Sequence, residues 1–382
     1  MRIGIDARQL SVGQAGGFKS YAESVLISLG RSEVKDSLIV YTDAPVSSIA
    51  GVSAESVAVC NPRNLMLREQ FALPRRLKAD GAAVAHFLAN TAPVHCPVPF
   101  VLTLHDTFCI ERPTMSIVRS GSLRNKLLSL YSKHIPVLCA RRASKIVTVS
   151  RYSARRIAGL LGLDCKSIAV IPQALHERYR RVEAEELRAD LLSTLGVTKL
   201  ALVLGSAEPR KNLARTLRAF EQLGTRRRDI GLVMAVPGSD SFRRWMDQPE
   251  NRLPERVFQM PRVSDADLVK LYSAVDALLF VSEDEGFGLP VVEAMACGCP
   301  VVTSTTSCLP DTAGGAALLV DPLDIDSIAT GIERLMDDRQ LAESLIERGY
   351  HRVRELSHDR VAADLVSVYR SVSERAAQEA AG

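Results

Sequence analysis

Short apolar runs rich in Val, Ile and Leu recur along almost the whole chain, separated by longer segments with apolar residues three and four apart. A continuously apolar strand is buried on both faces, and a parallel sheet with helical crossovers covers both. The chain is therefore read as α/β throughout. Strands are expected at residues 2–5, 38–41, 57–60, 84–87, 100–104, 146–149 and 168–171, with helices at 19–29, 68–77, 123–143 and 152–161. A polar stretch, 173–198, ends this rhythm. A second series of strands then opens at 199–204 and continues at 231–236, 257–260, 277–281, 301–304 and 317–320, before a helical tail from 325 to 380. At 382 residues the chain is long enough for two domains. They are expected at 1–172 and 173–355, with no internal repeat.

Charge separates the same two halves. Residues 1–172 hold 22 Lys and Arg against 11 Asp and Glu, and the remainder 26 against 33, so a net charge of +4 is the sum of +11 and −7. Eleven basic residues and no acidic one fall between Arg112 and Arg156. Within that segment, residues 123–138 interleave Leu and Tyr with Arg and Lys. This is the pattern of an amphipathic segment for an anionic membrane surface, or of a helix packed by its Leu face. No recognition motif accompanies the charge, so nucleic acid is not an expected partner. The eight cysteines are scattered through apolar segments and read as reduced thiols. The chain opens as a strand rather than a basic-then-apolar leader, and no apolar run approaches bilayer length, so a cytoplasmic protein is expected, with the inner face of the membrane as its alternative station.

Two stretches carry chemistry. The strand ending at Leu204 runs into Gly205 and then Glu208-Pro-Arg-Lys-Asn212 just before a helix, which sets the cations Arg210 and Lys211 where a helix N-terminus already favours an anion. This is read as a diphosphate seat. About 75 residues on, the strand ending at Val281 is followed by Glu285-Gly-Phe-Gly-Leu-Pro-Val-Val-Glu-Ala-Met-Ala-Cys-Gly298. Gly286 and Gly288 open backbone N–H groups to a ligand at a helix start, and Glu285 and Glu293 offer carboxylates to sugar hydroxyls. Asp265-Ala-Asp267 and Asp324-Ile-Asp326 spell a pattern that holds a divalent ion in other settings, but both precede helices and read as caps; no metal is expected.

Together these stretches resemble the retaining GT-B glycosyltransferases of family 4, as do Arg262 through Phe280, Gly298-Cys-Pro-Val-Val302, Gly4-Ile-Asp-Ala-Arg8, His105-Asp106 and Thr148-Val-Ser-Arg-Tyr-Ser153. The resemblance implies two Rossmann-like domains facing a cleft, the first on the acceptor side and the second binding a nucleotide sugar, with residues 356–382 packing back on the first. It implies that Arg210 and Lys211 hold the donor diphosphate, Glu293 the ribose and Glu285 the sugar. Gly286, Phe287, Gly288 and Leu289 would close around sugar and phosphate, with Arg262 and Val263 beside the base. From the first domain Gly16 or Gly17 would approach the diphosphate and His105 the sugar, with Asp106 on the acceptor side or structural. The activity implied is metal-independent hexose transfer with retention to a glycan or lipid-linked acceptor, without a cofactor. Mannose from GDP-mannose is favoured over UDP-glucose or UDP-N-acetylglucosamine, and a GT-B sugar-nucleotide epimerase is the alternative enzyme. Two places depart from the family pattern: Gly16-Gly-Phe-Lys-Ser20 replaces Gly-Gly-Ile-Gly-Arg, and Gln173-Ala-Leu-His176 replaces Asn-Gly-Val-Asp.

Overall fold

A computed structural model describes residues 1–11, 16–46, 52–53, 56–62, 64–111, 123–236, 240–248, 251–261 and 263–381. The chain divides into two compact units, Met1–Ala174 with Leu356–Gly382, and Leu175–Glu355.

The first unit is built on seven strands: β1 (Ile3–Asp6), β2 (Leu38–Thr42), β3 (Val57–Val59), β4 (Val84–Phe87), β5 (Phe100–Thr103), β6 (Lys145–Thr148) and β7 (Ile168–Val170). They lie in the order β3-β2-β1-β4-β5-β6-β7, and the pairings are parallel. The second unit has β8 (Lys199–Leu204), β9 (Ile230–Val236), β10 (Val257–Pro261), β11 (Ala277–Phe280), β12 (Val301–Ser304) and β13 (Leu318–Val320), again parallel, in the order β10-β9-β8-β11-β12-β13. In each sheet the strand order reverses once, between β1 and β4 and between β8 and β11. Connections leave the carboxyl ends of those neighbours to opposite sides, opening a crevice where an open α/β sheet takes its ligand.

The apolar runs are buried on both faces, as their sequences require. Ile3, Ile5, Val84, Val101 and Leu102 are fully covered in the first unit, and Leu200 to Leu202, Leu232 to Met234 and Leu278 in the second. The Leu213–Gly224 and Ile325–Asp337 helices press Leu217, Phe220, Ile328 and Ile332 into the second core. The final helix, His358–Ala381, belongs to the first unit, where Tyr369 and Leu365 are fully buried. There Tyr369 Oη meets Nδ1 of the buried His86 at 2.7 Å, and Ser28 Oγ meets His358 Nδ1 at 2.8 Å.

Two local expectations need correction. Residues 68–77 are not one α-helix. They run through a π-turn, Arg68–Ala72, into the Leu73–Ala79 helix. The wider turn sends Arg68 and Glu69 inward, fully buried, while Phe71 stays 55% exposed. The helix expected at 123–143 is present and contains Pro136. The helix runs Leu123–Ala140 through the proline, which removes one backbone hydrogen bond, while Ile135 and Val137 beside it pack on the core. The polar stretch after 173 contains a helix, Glu185–Leu195, whose single buried side chain, Leu191, leaves almost no apolar periodicity to read.

Candidate functional site

In the second unit the two chemistry-bearing stretches meet at the reversal point of the sheet. The loop after β8 turns through Pro209–Lys211, and Asn212 follows with φ of 56°. Its side-chain amide donates to the Val281 carbonyl at 3.0 Å and the Pro322 carbonyl at 2.7 Å, tying this loop to the one leaving β11. The Glu283 amide donates to the Arg210 carbonyl at 2.8 Å, so the loops are also joined backbone to backbone.

This bracing aims Arg210 and Lys211 at one carboxylate. Glu285, 7% exposed, accepts from Arg210 Nη1 at 2.9 Å and from Lys211 Nζ at 2.6 Å. Arg210 also donates to the Asp284 carbonyl at 3.2 Å and pairs with Glu208 at 2.7 Å. Both cations keep about a quarter of their side chains in contact with solvent, so they are open to a further anion.

Gly288 adopts φ of 85°, and a Cβ there would meet Leu309 Cδ2 at 2.6 Å, so backbone conformation and space both demand glycine. It is the cap of the Leu289–Ala296 helix, which starts with Pro290 in its first turn and ends at Cys297 with Gly298 beyond in the left-handed region. Phe287 is buried, its carbonyl accepting from the Thr312 hydroxyl, and Gly286 and Leu289 are half-buried at the helix start. One turn into the helix sits Glu293, 8% exposed, accepting from Tyr272 Oη at 3.2 Å and from the Tyr179 hydroxyl. Burial pushes its carboxyl up to about 7, with those two phenols opposing the rise. Val263 is half-buried between β10 and the Asp265–Ala274 helix; Arg262 lies outside the described residues.

In the first unit His105 follows β5. Its amide donates to Asn90 Oδ1 at 2.9 Å, and its Nε2 lies 2.8 Å from the Leu88 carbonyl, so Nε2 carries the proton and Nδ1 keeps a lone pair. Burial depresses its pKa to about 4, which leaves the ring neutral at ordinary pH. Phe18 and Tyr21, on the Gly17–Gly30 helix, stand edge-on to it at 4.8 and 4.5 Å between ring centroids. Gly16 caps that helix with an extended backbone, and a Cβ on Gly16 or Gly17 would meet nothing within 4 Å. Neither is forced to be glycine by its own unit. Asp106 accepts from the Phe108 amide at 3.0 Å, a turn-forming bond.

The structure thus brings Arg210, Lys211, Glu285, Gly286 to Leu289 and Glu293 together in one unit, and His105 beside the helix opened by Gly16 and Gly17 in the other. Asp267 forms a capping box with Ser264, and Asp324 caps its helix through the Asp326 amide. No cluster of three metal-ligating side chains occurs among the described residues. Sequence reasoning passed over Tyr179 and Tyr272, and also an ionic cluster at the carboxyl end of β1. There Arg68 Nη2 donates to Asp6 Oδ1 at 2.8 Å, and Arg8 pairs with Glu69.

Residues 192–352 match the family described as Glycosyl transferases group 1, and residues 23–177 match Glycosyltransferase Family 4. The chain belongs to glycosyltransferase family 4. It is 32% identical over 235 residues to the O-antigen chain mannosyltransferase B of Escherichia coli, a match spanning 60% of this chain and 61% of that protein. It is 27% identical over 285 residues to the MMP alpha-(1->4)-mannosyltransferase of Mycolicibacterium hassiacum, covering 73% and 67%. Among solved structures, Anabaena Alr3699/HepE in complex with UDP-glucose superposes with a TM-score of 0.69 at 19% identity, over 97% of this chain and all of that one. WaaG, a glycosyltransferase involved in lipopolysaccharide biosynthesis, gives 0.65 at 14% identity over 95% and 99%. With its two parallel-sheet units, this family-4 chain has the GT-B fold.

Proposed function

We propose that this protein transfers a mannosyl residue from GDP-mannose to a hydroxyl of a glycan or lipid-linked glycan, with retention at the anomeric carbon and without a metal ion. The observation that carries the reading is the convergence of Arg210, Lys211 and Glu285 at the sheet's reversal point, with the buried carboxylate of Glu293 one turn into the helix that follows. Departure of a nucleoside diphosphate develops negative charge on the leaving oxygens, and two fixed cations compensate it there. Glu285, already paired with both, accepts the sugar hydroxyls, and Glu293 accepts the two ribose hydroxyls. His105, neutral and held by Asn90 and Leu88, meets the sugar through Nδ1. Gly16 and Gly17 leave room for the diphosphate to approach the helix they open, while Gly286, Phe287, Gly288 and Leu289 line the donor and Arg262 and Val263 flank the base. The mannosyltransferase names of the sequence relatives support mannose as the sugar.

The basic segment supports a peripheral station on an anionic membrane surface. On the Leu123–Ala140 helix, Leu127, Leu130 and Leu138 are 50%, 56% and 43% exposed, beside exposed Lys133 and His134. A helix packed by its Leu face would hide those side chains. No helix among the described residues is long and apolar enough to cross a membrane.

Thermal unfolding and slow hydrolysis measured against a panel of sugar nucleotides test the donor assignment: GDP-mannose is expected to give the largest shift and the fastest hydrolysis. A larger response to UDP-glucose or UDP-N-acetylglucosamine overturns the choice of donor, and no response to any of them overturns the activity.

A further inference from the structure

Glu293 is held by more than the helix that carries it. Its carboxylate accepts from Tyr272 Oη, on the Asp265–Ala274 helix, at 3.2 Å. It also accepts from Tyr179, which comes from the chain entering the second unit. That entering segment is strapped down on both sides of the phenol. Arg178 pairs with Asp265, and the Val182 amide donates to Ser273 Oγ at 3.2 Å. The Cys297 thiol bonds the Arg180 backbone. Tyr272 is fully buried, and both phenols titrate far above the neutral range, so each remains an O–H donor.

We propose that Tyr179 and Tyr272 are positioning residues that hold Glu293 ionised and oriented, so that its remaining lone pairs face the vicinal hydroxyls of a nucleotide ribose. The inference rests on the donor-site reading above and adds what that reading lacks: a reason why a carboxylate in this much cover stays an acceptor. An ionised carboxylate offers about four lone-pair sites, enough for two phenols and two ribose hydroxyls. A protonated one turns an acceptor into a donor and loses the diol. The opposing influences are local: burial and Asp265 disfavour the charge, and the two phenols and Arg178 favour it. Burial brings the carboxyl to about 7, so the retained charge is poised in the neutral range rather than assured.

The sign follows directly. Diol binding needs the carboxylate, so affinity falls as pH drops through the carboxyl's pKa. Removing one phenolic donor destabilises the charged form and moves that midpoint up. The test is calorimetric titration of the full chain with GDP and with 2′-deoxy-GDP from pH 5.5 to 9. In the wild type, GDP affinity is expected to fall below about pH 7, with 2′-deoxy-GDP weaker and flat. In Tyr179→Phe the midpoint is expected to rise by about one unit, giving roughly tenfold weaker GDP binding at pH 6.5 and recovery by pH 9. Tyr272→Phe should behave alike. Since Tyr179 is only half-buried, its variant answers even where Tyr272→Phe disturbs the core. A Tyr179→Phe profile coincident with the wild type overturns the positioning role when Glu293→Gln still abolishes the preference for ribose over deoxyribose. If Glu293→Gln leaves that preference intact, the ribose assignment itself has failed, and the positioning role falls with it.

Discussion

Replacing Glu285 by Gln removes a negative charge from beside two cations, and the expected result is tighter binding of a nucleoside diphosphate together with slower turnover. The Glu285 carboxylate lies 2.9 Å from Arg210 Nη1 and 2.6 Å from Lys211 Nζ, and under the proposed reading it competes with the diphosphate for both cations. A diphosphate that shares these cations weakens their contacts to Glu285. At an effective dielectric constant of about 20, unit charges 3 Å apart attract by roughly 5 kcal/mol, a ceiling for each contact. Hydrogen bonds to charged groups measure about 1.5–3 kcal/mol, and cations a quarter exposed retain about half of that. Two such contacts released give about 2 kcal/mol, or roughly thirtyfold in affinity. Calorimetric titration with GDP at 50 mM salt measures it. The gain should shrink at 0.5 M salt, where exposed charges are screened. Turnover of the donor should fall because Gln accepts sugar hydroxyls with one neutral oxygen. Unchanged or weaker GDP binding in Glu285→Gln would refute the competition and place the phosphate elsewhere.

Lys211→Ala should lower kcat/KM by on the order of tenfold to a thousandfold, by loss of one charge-assisted contact in the transition state, while 1 mM EDTA leaves the wild-type rate unchanged; steady-state donor turnover reads both. His105→Ala should lower donor affinity or rate, and equality with wild type in both removes His105 from the site. Burial depresses His86 to about 3 and His105 to about 4, so the unfolded chain binds more protons than the folded one between those values and about 6.5. The first unit should therefore lose stability as pH falls from 6.5 towards 4, and urea unfolding should show a smaller loss in His86→Gln. Flotation with anionic vesicles should be salt-sensitive and should weaken when Arg124, Lys126 and Lys133 become Ser, since each basic residue near the surface adds about 1 kcal/mol.

What was legible in the sequence was what local pattern encodes. The strands stand where continuous apolar runs announce them: 84–87, 199–204 and 301–304 agree to the residue, and the others within one. Such runs have no alternative to burial on both faces. Gly288 reads in the sequence as an opening for a ligand, and the fold adds a separate reason for it, a left-handed conformation packed against Leu309. One member of each acidic pair near 265 and 324 caps its helix, Asp267 through a capping box with Ser264 and Asp324 as the N-cap. What escaped depends on contacts between distant segments. Tyr272 sits at helical spacing from Leu268 and Val269 and reads as core, and only the fold turns its hydroxyl onto Glu293, 21 residues away. Tyr179 lies in a charged stretch with no periodicity. Likewise Arg68 and Glu69 look solvent-facing until a π-turn shifts the register of their face and hands them Asp6 and Arg8. Gly16 and Gly17 differ from Gly288, since a Cβ on either would meet nothing within 4 Å.

Real-time proton NMR of the sugar released from GDP-α-D-mannose by stoichiometric protein tests the central claim without an acceptor. The account predicts that α-mannose appears first and relaxes to the anomeric mixture afterwards, that EDTA does not alter this, and that Lys211→Ala suppresses it. Release of β-mannose first, or an intact donor after prolonged incubation of an active fold, would contradict it.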